Sequence, residues 1–199
     1  MITGFLDRIL SRYANTFDLT RPYVINGTEY AAYGFFFKKD EHYVAIKRAT
    51  LWSFHQTEHV LFAEAERADE SLFQKMGDAA LSHIEPDLIR GGNKYPEKDH
   101  MESLITLVLI SNHTPDERLV RDIKKYRYFK SYLFHFRGHT RARAVLVDLE
   151  GGSVVTSRDA RDLGSYYRDV LKKHLKKNNN AKIVDFHIRK EELKEEKTV

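Results

Sequence analysis

Residues 126–149 read YRYFKSYLFHFRGHTRARAVLVDL. Two extended runs meet at Arg137-Gly138, where glycine supplies the backbone freedom a tight turn needs. The second run closes on AVLVDL, the continuous apolar pattern of a strand covered on both faces. The stretch therefore predicts a β-hairpin. If 128–136 is one strand, its side chains alternate. Tyr128, Lys130, Tyr132, Phe134 and Phe136 then share one face, and Phe129, Leu133, His135 and Arg137 share the other. On the return strand Arg141 and Arg143 lie together, opposite Ala142 and Ala144.

Just upstream, Met101–Ser111 is nearly all apolar and reads as a second buried strand. Thr114-Pro115-Asp116-Glu117 starts a helix, with a capping side chain, a proline and acids facing the positive end of the helix dipole. Leu119, Val120, Ile123 and Tyr126 give that helix its apolar side. Strand, helix and the strand Phe129–Phe136 make a βαβ unit, which predicts parallel strands joined by a right-handed crossover.

The N-terminal half supplies the remaining layers. Phe5, Leu6, Ile9, Leu10 and Tyr13 recur at helical spacing, with Thr3 as candidate N-cap. Asn26-Gly27 is a strong hairpin signal, because a type I′ turn needs positive φ at both positions. It joins Pro22–Ile25 to a strand over Thr28–Phe37. His42–Phe54 and His59–Ala65 are expected to continue the meander around a turn at Gln56-Thr57. Asp69 caps a helix that Pro86 should end. Residues 86–99, with Gly91-Gly92-Asn93 and Pro96, read as a long loop between sub-lobes 1–85 and 100–177. A last core helix is expected from Arg158 to Leu175, and a breaker at Asn178–Asn180. An edge strand over Lys182–Ile188 and a charged tail would then complete 178–199. The class is α+β: a mixed, mostly antiparallel sheet built from the N-terminal β-meander and the βαβ unit with its hairpin. Residues 1–177 form one domain, with helices packed mainly on one face.

Composition narrows the function classes. Without cysteine, disulfides, thiolate nucleophiles and Cys-ligated metals are excluded, which suits a reducing cytoplasm. Asp7 and Arg8 break up the first apolar residues, so no signal-peptide core is expected. The longest mostly apolar run, Leu104–Ile110, falls far short of the ~20 residues of a membrane span. The expected protein is therefore cytoplasmic, with no membrane and no cofactor. A net charge of +4 is too small to imply nucleic acid, but its distribution is uneven. Between Arg118 and Arg143 only Asp122 opposes a dense series of lysines and arginines, which leaves the rest of the chain net acidic.

Aromatic rings beside guanidinium groups suit a single-stranded nucleic acid, whose bases stack and whose phosphates need cations. The leading expectation is thus a non-catalytic accessory protein that engages an anionic partner through this hairpin. Arg127, Lys130, Tyr132, Phe134, Arg137, His139, Arg141 and Arg143 are the candidate contacts. No RNP-type signature accompanies them. A first alternative is a small-ligand or protein-partner module, in dimeric form if the meander is an interface. It would use Tyr30, Tyr33, Phe35, Phe37, Trp52 and Phe54. A second is a zinc hydrolase. His55-Gln-Thr-Glu58-His59 matches H-x-x-E-H, but that chemistry needs a helix to bring both histidines to one metal, and the flanks alternate like strands. Asp148 and Glu150 close an apolar strand without the acid-x-Lys partner of a metal-dependent nuclease, and read as a turn. No phosphate-binding loop and no nucleophile elbow occur.

Overall fold

In the computed structural model the described residues are 4–41 and 53–195, with side chains described for 4–38 and 55–178. The chain opens with α1 (Phe5–Tyr13), β1 (Asp18–Thr20), β2 (Tyr23–Ile25), β3 (Thr28–Tyr30), β4 (Ala32–Glu41) and β5 (Ser53–Arg67). Then come α2 (Glu70–Ala79), its π-helical continuation (Ala80–Ile89), β6 (His100–His113), α3 (Glu117–Lys125) and β7 (Tyr128–Ser131). Strands β8 (His139–Asp148) and β9 (Ser153–Thr156) and helix α4 (Arg161–Glu195) complete it.

Seven strands form one mixed, mostly antiparallel sheet in the order β1-β4-β5-β6-β8-β7, with β9 also on β8, and β2 and β3 pair as a separate hairpin. This is the α+β class read from the sequence. The β2–β3 turn is the Asn26-Gly27 turn, with φ of 51° and 76°. Asp69 caps α2 as expected, its carboxylate accepting from the Leu72 N–H at 2.8 Å.

Several expectations are corrected. Residues Gln56 and Thr57 do not turn; they lie inside the continuous strand β5. The strand expected over His42–Phe54 falls largely outside the described residues, as do Thr3 and Trp52. The parallel partner of β6 is β8, not β7, which is a four-residue antiparallel strand on the first half of β8. A second parallel pair, β5 with β6, is joined through α2, so residues 86–99 lie inside a crossover and one sheet spans both expected sub-lobes. Helix α4 runs through Asn178–Asn180 and the stretch read as an edge strand.

The helices also divide between two faces instead of gathering on one. Leu61, Ala63, Ile105, Leu107, Leu109, Ala144 and Leu146 pack with residues of α2 and α3. Their neighbours in sequence, Val60, Phe62, Val108, Ile110, Val145 and Val147, pack with residues of α1 and α4. Period-two alternation delivers both sets from the same three strands. An unbroken apolar run is what a strand covered twice requires. Each large side chain fully buried this way contributes about 1.5–3 kcal/mol. Among the described residues no helix is long and apolar enough to cross a membrane.

Candidate ligand-binding cleft

The α2/α3 face of the sheet changes character along its strands. On β5 the inward positions run His55, Thr57, His59 and then Leu61, Ala63. On β6 Ser103 precedes Ile105, Leu107 and Leu109, and on β8 Thr140 precedes Ala142 and Ala144. The helices cover the apolar part. The polar part, at the start of the parallel strands, is roofed by the end of the π-helix and the following loop, and it encloses a cleft of about 240 Å³. Phe35, Phe37, His55, Thr57, His100 and Ser103 line it from the sheet, and Leu88–Gly91, Asn93 and Glu97 from the roof.

The roof exists because the helix does not stop at Pro86. It continues as a wide turn, with the Arg90 N–H reaching back five residues to the Glu85 carbonyl at 3.2 Å. π-helical turns are rare and are frequent at functional sites. Buried Glu85 anchors this turn to β7. It accepts from Arg90 Nε at 2.8 Å, Tyr132 Oη at 2.7 Å and Lys130 Nζ at 2.9 Å. Burial alone would raise its pKa, but the Arg90, Tyr132 and Lys130 contacts outweigh that and hold it below the ordinary carboxylate range.

A hydrogen-bonded chain fixes the floor. His100 Nδ1 lies 2.8 Å from the Arg137 carbonyl, which can only accept, so the proton is on Nδ1. Burial lowers the His100 pKa and so favours the neutral ring. Its Nε2 therefore accepts from the Ser103 hydroxyl at 2.8 Å, and Ser103 accepts from Thr57 at 2.6 Å. One backbone carbonyl thus orients three side chains, and Thr57 turns lone pairs towards any further donor. Two positions along β5, His59 is buried against the Phe35 ring (centroids 5.2 Å) and bonds Tyr33 Oη through Nδ1 at 2.6 Å. Its Nε2 has no partner among the described residues, and burial, with His100 nearby, pushes its pKa down to about 4.

The basic segment is distributed differently from its sequence reading. The strand expected over 128–136 ends at Ser131, and Leu133, Phe134 and His135 adopt left-handed φ of 48°, 52° and 71°. Tyr132 is buried at 1% exposure, whereas Phe134 and Phe136 are 90% and 80% exposed. Arg143 is buried and bound to Glu58 and Asp162, and Arg141 is bound to Glu102. His139 lies 3.2 Å from Glu102, and Arg137 Nη1 donates to the Pro96 carbonyl at 2.9 Å. Lys130 is held by Glu85, and Arg127 is exposed. The zinc motif is also taken apart. On a strand, His55 and His59 are about 13 Å apart along one face and Glu58 points to the other, where it meets Arg143.

The sequence reading named Phe35, Phe37 and His55, but under separate alternatives, and did not assemble them with Thr57, His100 and Ser103, because the cleft draws on three strands, the end of the π-helix and a loop. The available signal was Ser103, a hydroxyl that opens a buried, mostly apolar run on β6. Comparison with curated proteins and with solved structures finds no match. A family model described as Domain of unknown function (DUF8052) matches residues 2–169, a span that contains every cleft residue, and the chain belongs to that family.

Proposed function

We propose that the protein is a binding protein whose cleft at the start of β5 and β6 takes a small, flat, polar ligand. The observation that carries this reading is the polar end of an otherwise apolar sheet face, with Phe37 beside it. The Phe37 ring is half exposed and stacked near His55, with centroids 5.5 Å apart and planes 30° apart. An aromatic ring beside oriented hydroxyls and imidazoles suits a ligand that stacks on one side and hydrogen-bonds at its edge. The volume limits that ligand to roughly the size of a nucleobase or aromatic amino acid. A panel of such compounds, screened by thermal shift and ligand-observed NMR, tests the reading. A binder is expected to lose about tenfold or more in affinity in Phe37→Ala and to be unaffected by Phe134→Ser. A panel with no binder, or binding that ignores Phe37, overturns it.

A second reading keeps the anionic partner, and Phe134 and Phe136 favour it. Two rings this exposed offer apolar area that a partner could cover. In the same segment the Phe129, His135 and His139 rings pack on one another, with centroids 5.4–5.9 Å apart. The left-handed turn is held by Gly138 N–H to the His135 carbonyl at 3.0 Å and His135 N–H to Ser131 Oγ at 3.1 Å. Single-stranded RNA or DNA bound here would show salt-sensitive fluorescence anisotropy that Phe134→Ser/Phe136→Ser abolishes. Binding retained by the double variant would remove the loop from consideration.

A further inference from the structure

We infer that the mouth of the cleft binds one divalent transition-metal ion through His55, Glu97 and Asp99. The inference deepens the cleft reading and rests on it for what the ion would serve. The imidazole and the two carboxylates each offer one ligand atom, and the three atoms lie within 4.8 Å of one another. Tetrahedral zinc would draw such atoms to about 3.4 Å apart, so binding requires the three side chains to close on the ion.

The backbone already brings these residues together. The His55 N–H donates to the Asp99 carbonyl at 3.0 Å, and the His100 N–H donates to the Glu97 carbonyl at 3.2 Å. Asp99 immediately precedes β6, and His55 pairs with His100 across the parallel ladder. The register shifts between His55 and Gln56, and such irregularities re-aim side chains next to functional sites. His55 and Asp99 are thus joined backbone to backbone at the start of the β5–β6 ladder, and Glu97, in the preceding loop, is tied to it through its carbonyl. Around them, His55 is held between the Phe37 ring (5.5 Å) and the edge of His100 (5.5 Å).

Chemistry narrows the ion. Two carboxylates with a neutral imidazole match a dication. The imidazole favours zinc and its neighbours over magnesium and calcium, which prefer oxygen ligands throughout. Three protein ligands leave a coordination position open, as in zinc sites that bind an exogenous group. His55 and Glu97 both line the cleft, so that position opens towards it. A ligand carrying an anionic oxygen would then bridge ion and aromatic ring.

Isothermal titration of zinc chloride, and separately manganese chloride, into the chelator-treated 199-residue chain tests the site. One ion per chain is expected to bind. Loss of a direct ligand in His55→Ala or Asp99→Asn should weaken it by at least about 100-fold, the upper range for outer-shell changes alone. His113→Ala serves as control, because His113 makes an exposed pair with Glu66 and Glu150 away from the cleft. Circular dichroism checks that each variant folds, and His55→Ala alone suffices if Asp99→Asn does not. Absence of saturable binding, or binding equal in His55→Ala, overturns the inference. The compound panel repeated in chelator separates the two ideas: a cleft ligand that binds while no metal does removes the ion and leaves the cleft.

Discussion

Arg143→Ala is expected to lower folding stability by about 3–5 kcal/mol. For a chain of this length that corresponds to a fall in Tm of roughly 10 °C. The Arg143 side chain is 8% exposed. Its Nη2 lies 2.9 Å from Glu58 Oε1, its Nη1 3.0 Å from Asp162 Oδ2, and its Nε donates to Thr106 Oγ1 at 2.9 Å. Thr106 in turn donates to Glu58 at 2.8 Å. Burial opposes the charge on the guanidinium, and the Glu58 and Asp162 carboxylates outweigh it, so its pKa lies above the ordinary value. Removing the cation leaves the Glu58 carboxylate, itself only 18% exposed, without its main partner. Asp162 is 65% exposed and simply rehydrates. Glu58→Leu/Thr106→Val/Arg143→Met removes the three members that lie on the sheet at once, leaving only the exposed Asp162, and should be more stable than Arg143→Ala, because a well-packed apolar replacement of a buried pair is often neutral. Urea unfolding of the three proteins measures both. A single variant within about 1 kcal/mol of wild type would mean that the network carries little.

Arg143 also illustrates what the chain does and does not reveal. Alternation correctly placed Arg141 and Arg143 on one face of β8. It could not reveal that Glu58, 85 positions earlier, waits on that face to neutralise Arg143. Local rules worked where the determinant is local. Asn26-Gly27 made its turn, Asp69 capped its helix, and Leu104–Ile110 became a central strand. They failed where a long-range partner overrides them. Gln56 and Thr57 look like a turn because they are polar between apolar runs, yet Thr57 is polar for Ser103, on the neighbouring strand. Leu133, Phe134 and His135 carry no glycine to announce positive φ. Tyr132 resembles its exposed aromatic neighbours in sequence and is buried for Glu85 and Thr140.

Gly138→Ala is expected to cost more than 3 kcal/mol, on the order of what a strained backbone and a main-chain clash impose together. Gly138 has φ of 70°, so any side chain there meets the left-handed penalty of about 1–2 kcal/mol. Space adds the rest. A Cβ would lie 2.2 Å from the Met101 carbonyl oxygen, 2.6 Å from its carbon and 2.7 Å from the His100 carbonyl oxygen. All three are backbone atoms at the start of β6, where no side chain can rotate away. Gly92 provides the matched comparison: its φ is 73°, and a Cβ there would meet nothing within 4 Å. Gly92→Ala should therefore lose only the conformational part, and the difference between the two Tm shifts isolates the clash. The consequence reaches the cleft, because the carbonyl that orients His100 belongs to Arg137, the residue before Gly138. Pushing β6 away from this turn disturbs the His100–Ser103–Thr57 chain, so any Gly138→Ala protein that still folds should bind the cleft ligand more weakly than Gly92→Ala does. Equal Tm for the two alanine variants would show that the turn gives way, and that the cleft floor is not fixed from this side.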